Sequence, residues 1–313
     1  MRYESPKSRR PSVGFAGALV VIILLVVVTL HFHQKQNPTT TEVHSVSNVR
    51  LNSSNLDWPD SGEAAAGVVG SGVLATHGEQ AARPTASTAK LITALTVLKK
   101  YPLRDGESGP TLTMSRSDIE LLVKYTDLDG SEIGKVVVGE KLTEYQMLQA
   151  MMLPSANNMA DSLAIWAFGS LQAYQEAANN YLAELGLHDT HVGTDASGLD
   201  PSTVSTAHDL VLIGEAAMQN PVLAEIAALP NVNGFPLVGT ITNVNTLLGH
   251  EGIVGIKTGN SDEAGGVFVF AAKQTLPNGQ TVTIVGVVQG LPSLADALQA
   301  TPPLLRSITQ NIN

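Results

Sequence analysis

The chain has 313 residues, 43% of them hydrophobic, which is enough for a sizeable core in one large domain or two small ones. Five of the 18 Lys and Arg residues and one of the 28 acidic residues lie in residues 1–35. The rest of the chain therefore carries 13 basic and 27 acidic side chains, which argues against nucleic acid as a partner. There is no cysteine, which excludes disulfides, thiolate metal sites and a cysteine nucleophile.

The N-terminus contains an uncharged apolar run, from Val13 to Leu30, that is long enough to span a bilayer. Four basic residues and one acidic residue precede it, so the positive-inside rule predicts a cytoplasmic tail over residues 1–12 and a signal anchor over 13–32. The residues after Leu30 lack the small-x-small pattern of a signal peptidase site, which favours the anchor over a cleaved signal peptide. We therefore expect a single-pass protein of the cell membrane whose folded part is extracytoplasmic.

A polar segment follows the anchor. Residues 33–60 are rich in Thr, Ser, Asn and Pro, a composition that does not bury enough apolar surface to offset the entropy of ordering. The sequence predicts a flexible linker there and one folded domain over residues 61–313.

The domain begins with strands and continues with helices. Residues 64–69 and 72–76 are short apolar or β-branched runs separated by Gly70, which predicts two adjacent strands. A broad apolar face then predicts a buried helix that starts between Pro84 and Ser87 and ends near Lys100. Four further helices are predicted from capping residues and apolar spacing, over 143–152, 157–168, 170–186 and from 205 or 206 to 218.

Strands return late in the chain. Residues 267–272 and 281–288 flank an Asn-Gly pair, which is a strong signal for an antiparallel hairpin. Both runs are almost continuously hydrophobic, as expected for a sheet that is covered on both faces. The predicted fold class is α/β in an α+β arrangement, with an antiparallel sheet sandwiched by helices. A helical subdomain is inserted between the N-terminal and C-terminal strands.

Three short motifs carry candidate chemistry, in the order Ser87-Thr-Ala-Lys90, Ser155-Ala-Asn157 and Lys257-Thr-Gly259. Each has an ordinary structural explanation when taken alone: a helix cap with a surface lysine, a turn, and the end of a strand. A specified tripeptide such as Lys-Thr-Gly is expected by chance well under ~0.1 times in a chain of this length. Their conjunction in this order therefore points to a site.

The first motif predicts an activated nucleophile. Ser87 and Lys90 are three residues apart at the start of a helix, so they share one face and the amine can reach the hydroxyl. Ser87 is the predicted nucleophile and Lys90 its base. A lysine acts as a base near neutral pH only if burial or a second cation lowers its pKa, and Lys257 is a candidate for that cation.

The second motif follows Pro154 at a junction between two predicted helices, where a turn can point both side chains into a cleft. We expect Ser155 to relay a proton to a leaving amine. Asn157 is expected to fix an amide of the substrate.

The third motif lies in a strand-like stretch beside the late hairpin, where an edge can align a peptide. Lys257 and Thr258 are expected to hold a C-terminal carboxylate, and Gly259 lets a substrate backbone approach closely. The backbone N–H of Asn260, together with that of Ser87, is a candidate oxyanion hole.

These residues resemble the penicillin-binding and serine β-lactamase superfamily. Within it, the low-molecular-mass D-alanyl-D-alanine carboxypeptidases of peptidase family S11 look most similar. The similarity extends beyond the three motifs to residues 84–87, 195–199, 205–210, 245–248 and 264–266.

The resemblance implies a β-lactamase/transpeptidase-like fold and a serine carboxypeptidase activity. The substrates it implies are peptidoglycan stem peptides ending in D-Ala-D-Ala, cleaved through an acyl-enzyme on Ser87 without a metal or organic cofactor. It also implies that β-lactams acylate Ser87.

Three alternatives stay open on the sequence alone. A serine β-lactamase needs a deacylating glutamate, for which Glu184 in Glu-Leu-Gly-Leu-His is a superficial match that reads better as the end of a helix. A protein that binds cell-wall peptides without catalysis is a second alternative. A Ser-His-Asp hydrolase is the third, since His208 precedes Asp209. The histidines show no metal-ligand spacing.

Overall fold

The computed structural model describes Met1 and residues 49–128, 132–276 and 278–312. The predicted anchor over 13–32, the predicted tail apart from Met1 and most of the predicted linker lie outside this range. In the described part of the chain, no single helix is long and apolar enough to cross a membrane. The helices Ala207–Gln219 and Pro221–Ala228 reach that length only jointly, across a bend of 98°.

The described residues form strands β1 (Glu63–Val68), β2 (Gly72–His77), β3 (Arg83–Pro84), β4 (Thr111–Thr113), β5 (Lys141–Thr143), β6 (Val204–Ser205), β7 (Asn231–Phe235), β8 (Gly239–Thr242), β9 (Ile253–Ser261), β10 (Gly265–Thr275) and β11 (Thr281–Leu291). The α-helices are α1 (Lys90–Lys100), α2 (Arg116–Thr126), α3 (Glu144–Met152), α4 (Asn157–Phe168), α5 (Leu171–Glu184), α6 (Ala207–Gln219), α7 (Pro221–Ala228) and α8 (Leu294–Asn311).

One five-stranded sheet organises the domain, with strand order β2-β1-β11-β10-β9 and antiparallel pairing throughout. The predicted N-terminal strands are β1 and β2, and the predicted late hairpin is β10 and β11 around Gly279. β9 lies at the edge, and its register places Lys257 opposite Val269 on β10. One side of β9 is therefore unpaired within the sheet.

Helices cover both faces of this sheet. Alternate residues of β10 pack into separate core clusters, with Val267 and Val269 on one face and Phe268 and Phe270 on the other. Helices α6 and α7 pack on the first face, against the inner strands and β9 respectively, and α8 covers the second. The predicted antiparallel sheet sandwiched by helices is confirmed, and α2 to α5 form the helical insertion between β2 and β9.

Capping side chains set the starts of the predicted helices. Thr143 and Gln146 form a capping box at α3, Ser170 caps α5, and Thr206 caps α6. Helix α4 has the predicted bounds. Helix α1 starts later than predicted, because residues 86–89 form a turn of 3-10 helix in front of it.

Residues 49–60 pack on the domain and extend it beyond the predicted boundary at residue 61. Leu51 forms a β-bridge with Ile312, and the Asp57 amide donates to Ser307 Oγ on α8 at 2.9 Å. Trp58 stacks on His77 with ring centroids 5.5 Å apart. The predicted linker therefore differs from the structure over its last twelve residues, where a few side chains anchor a polar segment.

Candidate active site

Ser87 lies in the 3-10 turn Ala86–Ala89, which leads directly into α1. Ala86, immediately before it, has a positive φ of 44°, a conformation that non-glycine residues adopt at a cost of roughly 1–3 kcal/mol. The turn holds Ser87 half-buried just before the N-terminus of α1. The eight residues of that helix from Leu91 to Leu98 are all buried. The rigid helix thus fixes the direction of the serine hydroxyl.

Lys90 is fully buried and its amine contacts Ser87 directly. Lys90 Nζ is 2.7 Å from Ser87 Oγ, 2.7 Å from Asn157 Oδ1 and 3.1 Å from the Ser197 carbonyl oxygen. An ammonium has three protons to donate, and these three acceptors satisfy all of them. When the amine is neutral, its lone pair can instead accept the proton of the Ser87 hydroxyl.

Burial lowers the pKa of Lys90 well below its usual value, because the charged amine has left water, and the nearby Lys257 lowers it further. The carboxylates of Asp195, Asp161 and Glu132 oppose this effect. The net direction favours a neutral amine, which is the form that accepts a proton.

The loop Asp195–Asp200 presents the Ser197 carbonyl to Lys90. Asp195 Oδ1 accepts from the amides of Ser197 at 3.1 Å and Gly198 at 2.7 Å, and its Oδ2 accepts from the Asp200 amide at 2.9 Å. Sequence reasoning treated this stretch as part of the resemblance and assigned it no role. Its role as an acceptor for Lys90 is a backbone contact, which residue types alone do not reveal.

Gly198 is expected to be indispensable for the position of Ser87. Its φ is +76°, and a β-carbon there would lie 2.1 Å from the Ala86 carbonyl oxygen and 2.5 Å from the Ala89 β-carbon. We expect Gly198→Ala to destabilise the fold by about 1–3 kcal/mol beyond backbone strain, since the turn before Ser87 must move. Any reaction that depends on the Ser87 hydroxyl should slow with it.

Gly186 provides a matched control for Gly198. Its φ is +75°, but a β-carbon there meets no atom within 4 Å. Gly186→Ala should therefore lower the free energy of unfolding only by the backbone strain of a positive φ, about 1 kcal/mol. Denaturant unfolding of both variants measures the difference, and equal losses of stability and activity would contradict the proposed contact.

Ser155 and Asn157 lie at the N-terminus of α4. Ser155 has a positive φ of 66°, and its hydroxyl forms no hydrogen bond with the described residues. Asn157 is buried, and its Oδ1 accepts a hydrogen bond from Lys90 Nζ. Its Nδ2 has no acceptor in the described part of the chain. The Asn157 amide donates to the Glu132 carbonyl oxygen at 2.8 Å. The Ser155 hydroxyl and Asn157 Nδ2 are thus available to bind a substrate.

Lys257, the first residue of the third motif, lies on β9 and is buried. Its Nζ donates to the Thr258 carbonyl oxygen at 3.1 Å and reaches neither Ser87 nor Ser155 within hydrogen-bonding distance. Burial lowers the pKa of Lys257 to about 7, and the charge of Glu132 acts in the opposite direction. Lys257 therefore influences Lys90 through its charge.

β9 passes directly beside the serine turn. A β-carbon on Gly259 would lie 3.0 Å from the Thr85 carbonyl oxygen and 3.2 Å from the Ser87 amide nitrogen. This approach puts the backbone of β9 next to the amide of Ser87, where the candidate oxyanion hole is expected. The Asn260 side chain turns away, with its Oδ1 accepting from the Leu294 amide at 3.2 Å.

A cavity of about 400 Å³ opens above these groups. The predicted site residues divide into two layers around it. Five of them line it: Ser87, Ser155, Thr258, Gly259 and Asn260. Lys90, Asn157 and Lys257 lie behind its surface. The remaining lining residues are Glu132, Val244, Ser293, Leu294 and Ala295.

The residues of the alternative hydrolases lie elsewhere. α5 ends at Glu184, which forms an ion pair with Lys99, so the predicted helix end is confirmed and this glutamate does not line the cavity. His208 pairs with its neighbour Asp209 at 3.1 Å in the first turn of α6. In the described residues, no three His, Asp or Glu side chains are grouped to hold a metal ion.

Comparisons with known proteins identify the family. The sequence profile of the D-alanyl-D-alanine carboxypeptidase family, peptidase S11, matches residues 68–288. The D-alanyl-D-alanine carboxypeptidase DacB2 of Mycobacterium tuberculosis is 35% identical over 208 residues, which are 64% of this chain and 66% of that one. The chain thus spans about two thirds of this relative.

Solved structures share the fold. A mutant of the Streptomyces K15 DD-transpeptidase superposes with a TM-score of 0.70 at 25% identity, over 80% of this chain and 97% of that one. The D-alanyl-D-alanine carboxypeptidase of M. tuberculosis H37Rv gives a TM-score of 0.68 at 29% identity, over 85% and 98% of the two chains.

Proposed function

Because this chain belongs to the D-alanyl-D-alanine carboxypeptidase family of serine peptidases, we propose that it removes the terminal D-alanine of peptidoglycan stem peptides through an acyl-enzyme on Ser87. The observation that carries the proposal is the 2.7 Å contact between Ser87 Oγ and the fully buried amine of Lys90. A buried amine with a lowered pKa is the base that such a serine needs.

The reaction proceeds in two acyl-transfer steps. Neutral Lys90 takes the proton of Ser87 as Oγ attacks the carbonyl carbon between the two terminal D-alanines. The C–N bond then breaks, and the proton held by Lys90 passes through the Ser155 hydroxyl to the amine of the departing D-alanine, which leaves Lys90 neutral and the acyl group on Ser87. Water next attacks the ester and loses a proton to Lys90. The bond to Ser87 Oγ then breaks, Oγ takes that proton back from Lys90, and the shortened peptide is released.

The negative charge that develops on the carbonyl oxygen needs donors fixed in advance. The Ser87 amide lies beside the Gly259 backbone, and with the amide of Asn260 it forms the proposed oxyanion hole. Asn157 Nδ2 donates to a carbonyl of the substrate. Thr258 and the charge of Lys257 hold the C-terminal carboxylate. β-Lactams that mimic the terminal dipeptide acylate the same serine.

The proposal also includes the place of the reaction. The apolar run within residues 13–32 anchors the protein in the cell membrane, and the charge balance around it leaves the catalytic domain on the extracytoplasmic side. Peptidoglycan lies on that side. Sodium carbonate extraction of membranes tests the anchor: the full chain should stay in the pellet, and its release into the supernatant would contradict the assignment.

Lys257 is expected to set the alkaline limit of activity. Its ammonium is present below a pKa of about 7 and is lost as the pH rises through that value, so carboxylate capture weakens there. Lys90 must be neutral, so its lowered pKa sets the rise of activity on the acid side. The pH profile of kcat/KM should therefore be bell-shaped, with a falling limb near pH 7 that moves upward in kcat because bound carboxylate stabilises the ammonium.

Lys257→Ala tests the carboxylate assignment. We expect KM for a peptide ending in D-Ala-D-Ala to rise about 10- to 100-fold, because the positive charge behind the carboxylate site is lost, and the alkaline limb to disappear. A peptide with an amidated C-terminus should be a poor substrate of the wild type and equally poor for the variant. A variant that still prefers the free carboxylate as strongly as the wild type would rule out this role.

A further inference from the structure

A buried carboxylate that the proposed mechanism does not use lies in the helical insertion. Asp161, at the start of the second turn of α4, has no exposed surface. Its Oδ1 accepts from the Ala196 amide at 2.9 Å, and its Oδ2 accepts from the Tyr125 hydroxyl at 2.7 Å. Lys124 Nζ forms an ion pair with Oδ2 at 3.4 Å. Asp161 therefore joins α4 to α2 and to the loop that carries Ser197.

The contacts of Asp161 fit its ionised form. The Ala196 amide and the Lys124 ammonium only donate, so of the three described groups that contact the carboxylate only the Tyr125 hydroxyl can accept a proton from it. Burial raises the pKa of Asp161 and the charge of Asp195 adds to that effect, whereas the three donors lower the pKa. The hydrogen bonds and the ion pair thus offset part of the cost of a buried charge.

Asp161 reaches Lys90 in two ways. The first is mechanical, because Asp161 binds the Ala196 amide and the next residue, Ser197, gives its carbonyl oxygen to Lys90 Nζ at 3.1 Å. The second is electrostatic, because the negative charge of Asp161 raises the pKa of Lys90 against the larger effect of burial. The other charged groups that act on the Lys90 amine are Lys257 on β9, Asp195 in the loop and Glu132 in the cavity lining.

The proposed reaction makes Lys90 an ammonium twice, once when Ser87 attacks and once when water attacks. That ammonium is fully buried and is repelled by Lys257, so its charge is costly. Asn157 Oδ1 and the Ser197 carbonyl oxygen accept from it, but both are neutral groups. A fixed negative charge nearby is what stabilises a cation formed in such a place.

We propose that Asp161 is a positioning residue for Lys90: it holds the Ser197 carbonyl on the amine, and its charge stabilises the protonated amine that forms in each acyl-transfer step. The inference rests on the proposed function and adds to it a residue that belongs to none of the three motifs. Tyr125 and Lys124 on α2 hold the carboxylate in place.

Asp161→Asn separates the charge from the shape, and the pH profile of the full-length protein reads the result. The substrate is Nα,Nε-diacetyl-L-Lys-D-Ala-D-Ala, whose side chain does not titrate. Because the lost charge raised the pKa of Lys90, the acid limb of kcat/KM should move to lower pH, by about half a unit to one unit. On that limb, kcat/KM relative to the variant's own maximum should rise about three- to tenfold. The maximum itself should fall, since the base is weaker. The alkaline limb should stay, because the charge that acts on Lys257 is that of Glu132.

Thr93→Val is the matched control for the mechanical part. Thr93 Oγ1 donates to the Ala196 carbonyl oxygen at 2.7 Å, so valine loosens the same loop without a change of charge. This variant should lose turnover and keep the wild-type acid limb. Asp189→Asn, at an exposed position, removes a negative charge from the surface and should change neither turnover nor the acid limb.

Thermal unfolding shows whether each variant is folded at the assay temperature. Asp161→Ser is a second neutral variant, with an acceptor for the Ala196 amide, and should move the acid limb in the same direction. An unmoved acid limb in a folded neutral variant would overturn the inference, as would an equal shift in Thr93→Val. If neither neutral variant folds, Asp161 serves the fold alone and the inference is overturned as well.

Failure of the proposed function has a different signature. In that case the wild type would release no D-alanine from the peptide above the level of Ser87→Ala. Failure of the inference alone leaves release by the wild type intact, with an acid limb that does not depend on the charge at position 161.

Discussion

Ser87→Ala is expected to lower kcat for D-alanine release by at least about 10⁴-fold, because no other hydroxyl among the described residues that line the cavity contacts a buried amine. Ser155 lines the same cavity but forms no hydrogen bond with Lys90. The measurement is release of free D-alanine from a peptide ending in D-Ala-D-Ala, with residual activity compared with that of buffer alone. Binding of the peptide should survive, since Thr258, Asn157 and Lys257 remain.

The fold of this variant should be unchanged. Ser87 is half-buried and its side chain contributes one hydrogen bond, so the free energy of unfolding should change by about 1 kcal/mol or less. Ser117→Ala, on the exposed face of α2, should leave activity as it is. Retention of more than a few per cent of wild-type turnover by Ser87→Ala would mean that a different group carries the acyl chemistry.

Lys90→Met carries the second large expected effect. Methionine fills the buried space but has no amine, so we expect kcat/KM to fall by about 10²- to 10⁴-fold, the range for loss of a positioned general base. Acylation by penicillin should slow to a similar extent. The acid limb of the pH profile should disappear from the residual activity, because the group that titrates there is gone.

Lys99→Met on the same helix is the control for this substitution. Lys99 is largely exposed and pairs with Glu184, far from the cavity lining, so its removal should change neither turnover nor the pH profile. If Lys90→Met were to keep its acid limb, the base would have to be another residue. Far-UV circular dichroism and thermal unfolding of both variants separate loss of chemistry from loss of fold.

Much of the fold is encoded locally and was predictable. The capping box of Thr143 and Gln146, the Asn-Gly turn before β11 and the apolar runs of β10 and β11 act over a few residues, so the sequence shows them directly. The C-terminal helix α8 was not predicted, and the reason is visible in it. Pro302 and Pro303 lie inside that helix, and its buried face on the sheet, including Leu304 and Ile308, stabilises it despite them.

The site was predictable as a set of residues but not as an arrangement. Ser87 and Lys90 are three apart, so helix geometry alone brings them together. Asn157 and the Ser197 carbonyl reach Lys90 across 67 and 107 positions of sequence, and only the packing of α4 and the Asp195 loop against α1 sets those contacts. Glu132 was missed because it belongs to no motif and enters the cavity through a backbone bond to Asn157.

The most direct test of the acyl-enzyme mechanism is intact-mass analysis of the full-length protein after incubation with a labelled penicillin, followed by peptide mapping of the adduct. We predict a single adduct per chain, located on Ser87 and absent from Ser87→Ala. An adduct on any other residue, or an equal adduct on the alanine variant, would contradict the mechanism.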